Sequence, residues 1–561
     1  MNRKTIDVKV SAYDLANTYM PAWEMLVKDG KALGIMCSYN GVNGLPTCGN
    51  PALNATLRED WGFEGYITSD SDSCNNIILG HPYGDAGPIA PMNGTQGTKH
   101  CLLGGTDIDS GHTYTNHLAD GVADGEIDLS LARKGLSNAL RMRFKMGLFD
   151  PSQPNPYTAI KTTEVGAPAH QAMSIAGARK GMVLLKKGPL PFPIGKRIAV
   201  IGQVVDDTAA LTGNYDGPLC PPTAEGARVG GPLRNVAACY PSVAAAVTLL
   251  NKGGVTTVAT SVSDVAAAVT LAKAADHVVM VVDNSKDGGG EGHDRYEIGL
   301  AADQLALANA VIAANPSTVV VLVNGGMISI DTLKGDAPAI LEAFMPGVHG
   351  GTAIAETVFG LNNPGGKLPV TMYPSSFINE TDFLSMDMNN GPGRSYKYYS
   401  GTPLYPFGFG LSYSTFDIKW EGAPPALHMV NGLRTPSATY TVKVTNTGGL
   451  AGDEVVQAFV APNATSLGQG TLGNDVPVEK KRLFGFERVT LAAGASTTLT
   501  FELGPSHLAM ADADGNVGLH SGRFGVIFSR GHGKELEAAA RVELAASDAD
   551  AAQIKTFRRW W

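Results

Sequence analysis

Along residues 1–155 short apolar runs alternate with amphipathic stretches. "KALGIMCSYN" reads as a strand, "NPALNATLREDWG" as a helix and "EGYITSD" as the next strand. "CLLGGTDID" supplies a third strand before the helical "LSLARKGLSNALRMRFKMG". This rhythm predicts parallel strands joined by crossover helices. The Pro-rich link "DPSQPNPYT" then leads into a second unit over residues 165–375. There "RIAVIG", "HVVMVVDN", "STVVVLVNGG" and "AILEAFMPG" are almost wholly apolar and end in Gly, Asp or Asn. Such runs predict strands buried on both faces of an α/β layered sheet, and the Ala-rich "SVSDVAAAVTLAKAA" has the spacing of a crossover helix. After a linker over residues 376–409 the pattern changes to period two. "TYTVKVTN", "DEVVQAFVAP", "STTLTFEL" and "GRFGVIFS" predict a β-sandwich over residues 410–545. Residues 546–561, ending "KTFRRWW", read as a frayed tail.

Composition narrows the function classes. With 44% hydrophobic and 17% charged residues in 561, the chain is globular and multidomain. The formal net charge of -9 and the lack of a basic stripe argue against a nucleic-acid partner. No apolar run reaches the roughly 18 residues of a membrane span, and the N-terminus lacks the apolar core of a signal peptide. Among six cysteines, Cys37 and Cys48 flank one short loop and Cys220 and Cys239 another; each pair reads as a bridge or as two free thiols. Sequons at Asn54, Asn93, Asn379 and Asn463 add little, because about three arise by chance. Together these features lean towards an extracytoplasmic protein.

Two stretches carry candidate chemistry. In "GFEGYITSDSDSCNNI" an apolar strand ends and Asp70 and Asp72 follow, two residues apart. This is either a polar turn or a catalytic carboxylate at the C-terminal end of a barrel strand. On an extended segment, residues two apart share a face, so both carboxylates are candidates. The second stretch, "VDNSKDGGGEGHDR", surrounds Glu291 with glycines. It matches no phosphate-binding fingerprint, and a carboxylate would repel phosphate. It reads as a surface loop or as a carboxylate delivered to a cleft between domains. Carboxylates from two domains, with no metal-ligand cluster and no nucleotide loop, point to glycoside hydrolysis without metal or cofactor.

The residues also carry a resemblance. "GIMCSYNGVNGLPTCGNPALNATLREDWGFEGYITSDSDS" resembles the barrel segment of glycoside hydrolase family 3. "GRSYKYYSGTPLYPFGFGLSYSTF" resembles that family's junction into its fibronectin-III-like domain, and "MVLLKK", "RIAVIG" and "NPGGKLPVTMYP" resemble its α/β sandwich domain. "SDSDS", "GGTDID" and "EGHDR" are most similar to the β-xylosidase branch. The resemblance implies a multidomain α/β plus β fold: the C-terminal part of a (β/α)8 barrel, an α/β sandwich and a fibronectin-III-like sandwich. It implies Asp70 as nucleophile, Glu291 as general acid/base, Asp72 as a non-nucleophilic substrate position and Tyr39 as a substrate-contacting aromatic. A core tyrosine is the competing reading of Tyr39.

The activity implied is that of a retaining, exo-acting β-xylosidase on xylo-oligosaccharides or a related β-glycoside. β-Glucosidase and α-arabinofuranosidase are the near alternatives, and secretion of the full-length form is implied. An N-acetylglucosaminidase is disfavoured, because the barrel-loop His/Asp pair has no counterpart here. The chain also departs from the family. Ser71 stands where the branch has Cys, a loss that Cys74 is expected to replace. Only about seventy residues precede Asp70, whereas a full barrel takes about 250. The expectation is therefore the last three barrel strands, with non-catalytic carbohydrate binding as the competing function.

Overall fold

The computed structural model describes residues 3–150, 155–213, 239–284, 295–430, 437–467, 472–473, 476–544 and 553–555. The N-terminal unit begins with β1 (Ile6–Val8), followed by a π-helical turn over Leu15–Tyr19 and α1 (Pro21–Lys28). Then come β2 (Gly34–Cys37), β3 (Tyr66–Ser69), α2 (Ser73–Leu79) and α3 (Gly94–Leu103). β2 and β3 pair in parallel from Gly34↔Tyr66 to Cys37↔Ser69.

The predicted third strand is smaller than expected, reduced to a parallel bridge between Thr68 and Ile108. "CLL" is the end of α3, because the Asn93/Gln96 capping box starts a helix there. Cys101 and Leu102 are that helix's buried side. Among the described residues this sheet ends there, with Leu33 and Met36 exposed beside β2, while β1 pairs in parallel with Gly41–Val42 and with Tyr83–Gly84 in a separate small sheet. Helices α4 (Thr113–Ala123) and α5 (Leu129–Lys145) complete the unit. Asp128 caps α5 at one end and Arg143 and Lys145 complement its dipole at the other. Disulfides join Cys37 to Cys48 and Cys74 to Cys101. Cys239 is also bridged, and Cys220 lies outside the described residues.

The second unit contains α6 (Pro168–Gly181), β4 (Val183–Lys186), β5 (Arg197–Ile201), α7 (Val243–Leu250) and β6 (Val255–Ala259). It continues with α8 (Val265–Ala274), β7 (His277–Asp283), α9 (Ala302–Ala314) and β8 (Thr318–Val323). Last come α10 (Asp331–Asp336), β9 (Ala339–Glu342) and α11 (Gly350–Val358). The sheet order is β4-β9-β8-β7-β5-β6, parallel except for β4. Alternate residues of these strands enter two separate cores. One holds Val279, Val321 and Leu341 with α7 and α11; the other holds Met280, Val320 and Ile340 with α8 and α9. That double burial is why the strands read as continuous apolar runs.

The third unit is a sandwich of β10 (Phe416–Trp420), β11 (Leu427–Val430), β12 (Ala438–Asn446), β13 (Gly452–Pro462), β14 (Arg482–Leu491), β15 (Ser496–Leu503), β16 (Gly522–Ser529) and β17 (Leu536–Glu543). Three strands, β10-β12-β15, face five, β11-β17-β16-β13-β14, around one core. The tail contributes a short strand, Gln553–Lys555, paired to Val517–Gly518.

A buried polar cluster ties the sandwich and the linker to the N-terminal unit. Tyr13 Oη donates to the Pro477 carbonyl at 2.8 Å and lies 2.6 Å from Tyr398 Oη. Asn17 Nδ2 donates to Tyr398 Oη at 2.6 Å. Four residues after Asn17 stands Pro21, which has no N–H for the Asn17 carbonyl. Lys397 Nζ fills that place at 3.0 Å. Arg482 donates to Asn17 Oδ1 at 3.1 Å and to the Ala509 carbonyl at 2.7 Å. Glu479 pairs with both Arg482 and Lys397. Burial pushes the Glu479 carboxyl up, but the two cations outweigh it and hold the carboxyl below its ordinary value.

Glu479→Ala should therefore cost about 3 kcal/mol, since it leaves the half-buried Lys397 and Arg482 without their buried carboxylate, as read from denaturant unfolding. The wild-type contribution is present above the unfolded carboxyl value of 4.5 and lost as pH falls through the depressed folded value. A loss under about 0.5 kcal/mol would mean the cluster is not holding the units together.

Candidate active site

The carboxyl end of β3 is set from both sides by backbone hydrogen bonds. Ser69 N–H donates to the Ile108 carbonyl at 2.8 Å, and Asp70 N–H to the Cys37 carbonyl at 3.1 Å. Asp70 thus emerges, half-buried, where the three parallel strands end. Its Oδ1 accepts only the Ser71 N–H, at 2.7 Å, among the described residues. The other oxygen has no hydrogen-bond partner among the described residues.

Asp72 is placed differently from the expectation. The chain does not stay extended: Ser73 N–H returns to the Asp70 carbonyl at 3.0 Å, and Asp72 takes φ 60°, in the left-handed region. Asp tolerates that conformation better than most residues, yet it is uncommon and concentrates at functional sites. Asp72 stays exposed, its N–H donating to the Ser110 carbonyl at 2.9 Å. The turn, not strand alternation, brings the two carboxylates to one end of the sheet.

A third carboxylate, Asp109, completes this rim. It ends the "TDID" segment next to β3 and repeats the strand-then-Asp pattern of Asp70, which was its only sequence signal. Asp109 accepts from Ser69 Oγ at 3.4 Å and from Tyr114 N–H, in the first turn of α4, at 3.0 Å. A β-carbon on Gly111 would lie 2.6 Å from Asp72 Oδ1 and 3.4 Å from Asp109 Oδ1, so glycine there leaves room for both. Asp107, in the same segment, is structural: it binds Arg58 at 2.7 Å, Ile67 N–H at 2.8 Å and Asn138 at 2.9 Å.

Tyr39 is half-buried rather than a core residue. Arg3 and Lys4 sit 5.2 and 5.3 Å from its ring centroid, within cation–π range. The buried His81 holds its carbonyl through Nε2 at 2.9 Å.

Glu291 lies outside the described residues, but both ends of its segment are described. The segment leaves β7 after Asp283 and Asn284. β5 lies between β6 and β7; the crossover leaving β5 (α7) packs on one face and the crossover leaving β7 (α9) on the other, so the chain diverges between β5 and β7. Crevices for ligands open at such a switch point, outside the carboxyl ends of the strands. Gln203, just after β5, donates to Asp283 Oδ2 across that point at 2.8 Å.

Family models match this layout in chain order. The glycosyl hydrolase family 3 N-terminal domain matches residues 3–99, its C-terminal domain 182–413, and a fibronectin type III-like domain 454–531. A probable β-D-xylosidase 7 of Arabidopsis thaliana is 33% identical over 93% of this chain and 69% of its own length. The chain belongs to glycoside hydrolase family 3.

A probable exo-1,4-β-xylosidase of Aspergillus oryzae is 29% identical over 93% of this chain and 65% of its own length. Among solved structures, a family 3 exo-β-xylosidase bound to a xylobiose aziridine probe superimposes with TM-score 0.84 at 26% identity. It covers 100% of this chain and 71% of its own. The family 3 β-glucosidase of Bifidobacterium adolescentis superimposes with TM-score 0.75 at 26% identity, covering 96% of this chain and 74% of its own. The family 3 architecture expected from sequence is therefore present: barrel strands, α/β sandwich and fibronectin-III-like domain.

The hydrogen bonds separate framework from chemistry. Asp109→Ala removes a helix-capping acceptor and should cost about 1–2 kcal/mol. Asp70→Ala should change stability by under about 0.5 kcal/mol. Urea unfolding midpoints of the two variants check this, and equal losses would contradict it.

Proposed function

We propose that this family 3 member is a retaining, exo-acting β-xylosidase that releases xylose from the non-reducing ends of xylo-oligosaccharides. The observation that carries the reading is Asp70, pinned by its backbone at the open end of parallel strands with one carboxylate oxygen uncommitted. The xylosidase names of the plant and fungal relatives support the choice of sugar. The disulfides support work outside the cytoplasm; a role in xylan breakdown follows from the proposed substrate.

In this reading Asp70 attacks the anomeric carbon while Glu291 protonates the departing oxygen, giving a covalent xylosyl ester on Asp70. Glu291, now ionised, takes a proton from water, which attacks the same carbon and frees xylose with its configuration retained. Asp72 and Tyr39 contact the sugar. Asp72 is a hydrogen-bonding partner rather than a second nucleophile, a choice that rests on the family resemblance.

A 2-fluoro-xyloside with a good leaving group should label Asp70, as read by peptide mapping. A label on Asp72 would overturn the assignment. Asp70→Ala should abolish turnover, with partial return on adding azide. Glu291→Gln should depress hydrolysis of alkyl xylosides by about 10²–10⁴-fold, with a smaller loss of xylosylation by activated aryl xylosides. Equal losses on both would remove Glu291 from the role. Running the same assays on aryl glucosides and arabinofuranosides ranks the alternative sugars.

A further inference from the structure

The mechanism leaves unused a carboxyl group sealed inside the α/β unit. Glu342, the last residue of β9, is 1% exposed and sits at the carboxyl edge of the sheet. It accepts the Phe344 N–H at 2.8 Å and is hydrogen-bonded by the Asn324 side chain. Phe344 is held at φ 52°, a conformation unusual for a bulky residue. Asn324, wholly buried just after β8, donates its own N–H to the Phe344 carbonyl at 3.2 Å. Its Nδ2 closes the next turn on the Gly326 carbonyl at 2.5 Å.

That turn grips both described ends of the Glu291 segment. Gly325 N–H donates to Asn284 Oδ1 at 3.3 Å, and Arg295 Nη2 donates to the Met327 carbonyl at 3.0 Å. One chain of contacts therefore runs from Glu342 through Asn324 to the residues before and after the segment. We propose that Glu342 is a positioning residue for the Glu291 segment, acting through Asn324 and the 324–327 turn, and that it works as the neutral acid. This rests on the reading of Glu291 given above.

A neutral carboxyl is what the surroundings favour. Burial pushes Glu342 up to about 8, with only partial relief from Phe344 N–H and the Asn324 side chain. The neighbouring strands place Leu322 and Val183 opposite it. The charged groups of nearby elements are engaged elsewhere: Lys186 of β4 donates to the Lys334 and Gly335 carbonyls, Asp331 accepts Ser375 N–H, Lys334 lies over the Tyr405 ring, Asp283 accepts from Gln203, and Arg295 is on Met327. Asn324 Oδ1 is buried with no donor among the described residues.

The sign follows. The raised value means stability from the neutral form is full below 4.5 and falls as pH rises through about 8. Hydrogen exchange of the whole protein, corrected for the intrinsic rate, reads the grip directly. Between about pH 6.5 and about pH 9, wild-type peptides carrying Asn284, Gly325 and Arg295 should speed up about tenfold. Glu342→Gln, always neutral, should stay slow at both, and Glu342→Ala should be fast at both. Identical profiles for wild type and Glu342→Gln would overturn the proposal, and that pair decides even if Glu342→Ala does not fold.

At about pH 6.5, Glu342→Ala should lose at least about tenfold more on alkyl than on dinitrophenyl xylosides, with Gln restoring both. Equal losses there would reduce Glu342 to a structural role and overturn the positioning claim. If Glu291→Gln also shows equal losses while exchange behaves as stated, Glu291 fails as the acid and the grip itself stands.

Discussion

The buried ionic and tyrosine cluster around Glu479 is the constraint on which the rest depends. A two-carboxylate glycosidase places its nucleophile and its acid on opposite sides of one bond, about 5–5.5 Å apart in the retaining case. In the proposed assignment those groups, Asp70 and Glu291, come from separate units, so a hinge between the units would move the reacting atoms by more than the chemistry tolerates. Tyr13, Asn17, Tyr398, Lys397, Glu479 and Arg482 remove that hinge. A polar cluster costs desolvation that a greasy interface would not. Its return is a single allowed geometry, because each hydrogen bond needs its partner in place.

The same sandwich domain also grips the α/β unit. Glu454 pairs with Lys367 at 2.8 Å and Arg530 at 3.0 Å, all nearly buried. Arg488 reaches from Asp453 to the Lys180 carbonyl. The fibronectin-III-like domain thus works as a brace between the unit that carries Asp70 and the unit that carries Glu291. Within each unit, smaller devices add to the placement: the Cys37 and Ile108 carbonyls hold the backbone at Asp70, and the 324–327 turn holds Asn284 and Arg295.

Much of this was legible because burial writes itself into runs of residue types. In "HVVMVVDN" and "STVVVLVNGG" the runs 278–282 and 319–323 lie between two cores, so every position in those runs is apolar and the strand reading holds. "CLL" misled because three apolar residues suit a strand or one face of a helix, and only the Asn93/Gln96 box distinguishes them. The placement of Asp72 was missed because a left-handed turn leaves no periodic trace. Glu342 was hidden inside "AILEAFMPG", where one polar residue in an apolar run looks like a strand end. The cluster around Glu479 joins residues as far apart as Asn17 and Arg482, 465 positions in sequence, which no local pattern encodes. The choice of Asp70 over Asp72 came from the family resemblance.

If the two units are locked at the separation of a retaining site, the first sugar released must keep the configuration of the substrate. Proton NMR of the anomeric signals, recorded in the first turnovers on an aryl β-xyloside before mutarotation, measures this directly. The account predicts that β-xylose appears first and the α-anomer only later. Initial appearance of α-xylose would mean an inverting geometry, with carboxylates about 6.5–9.5 Å apart, and would contradict it.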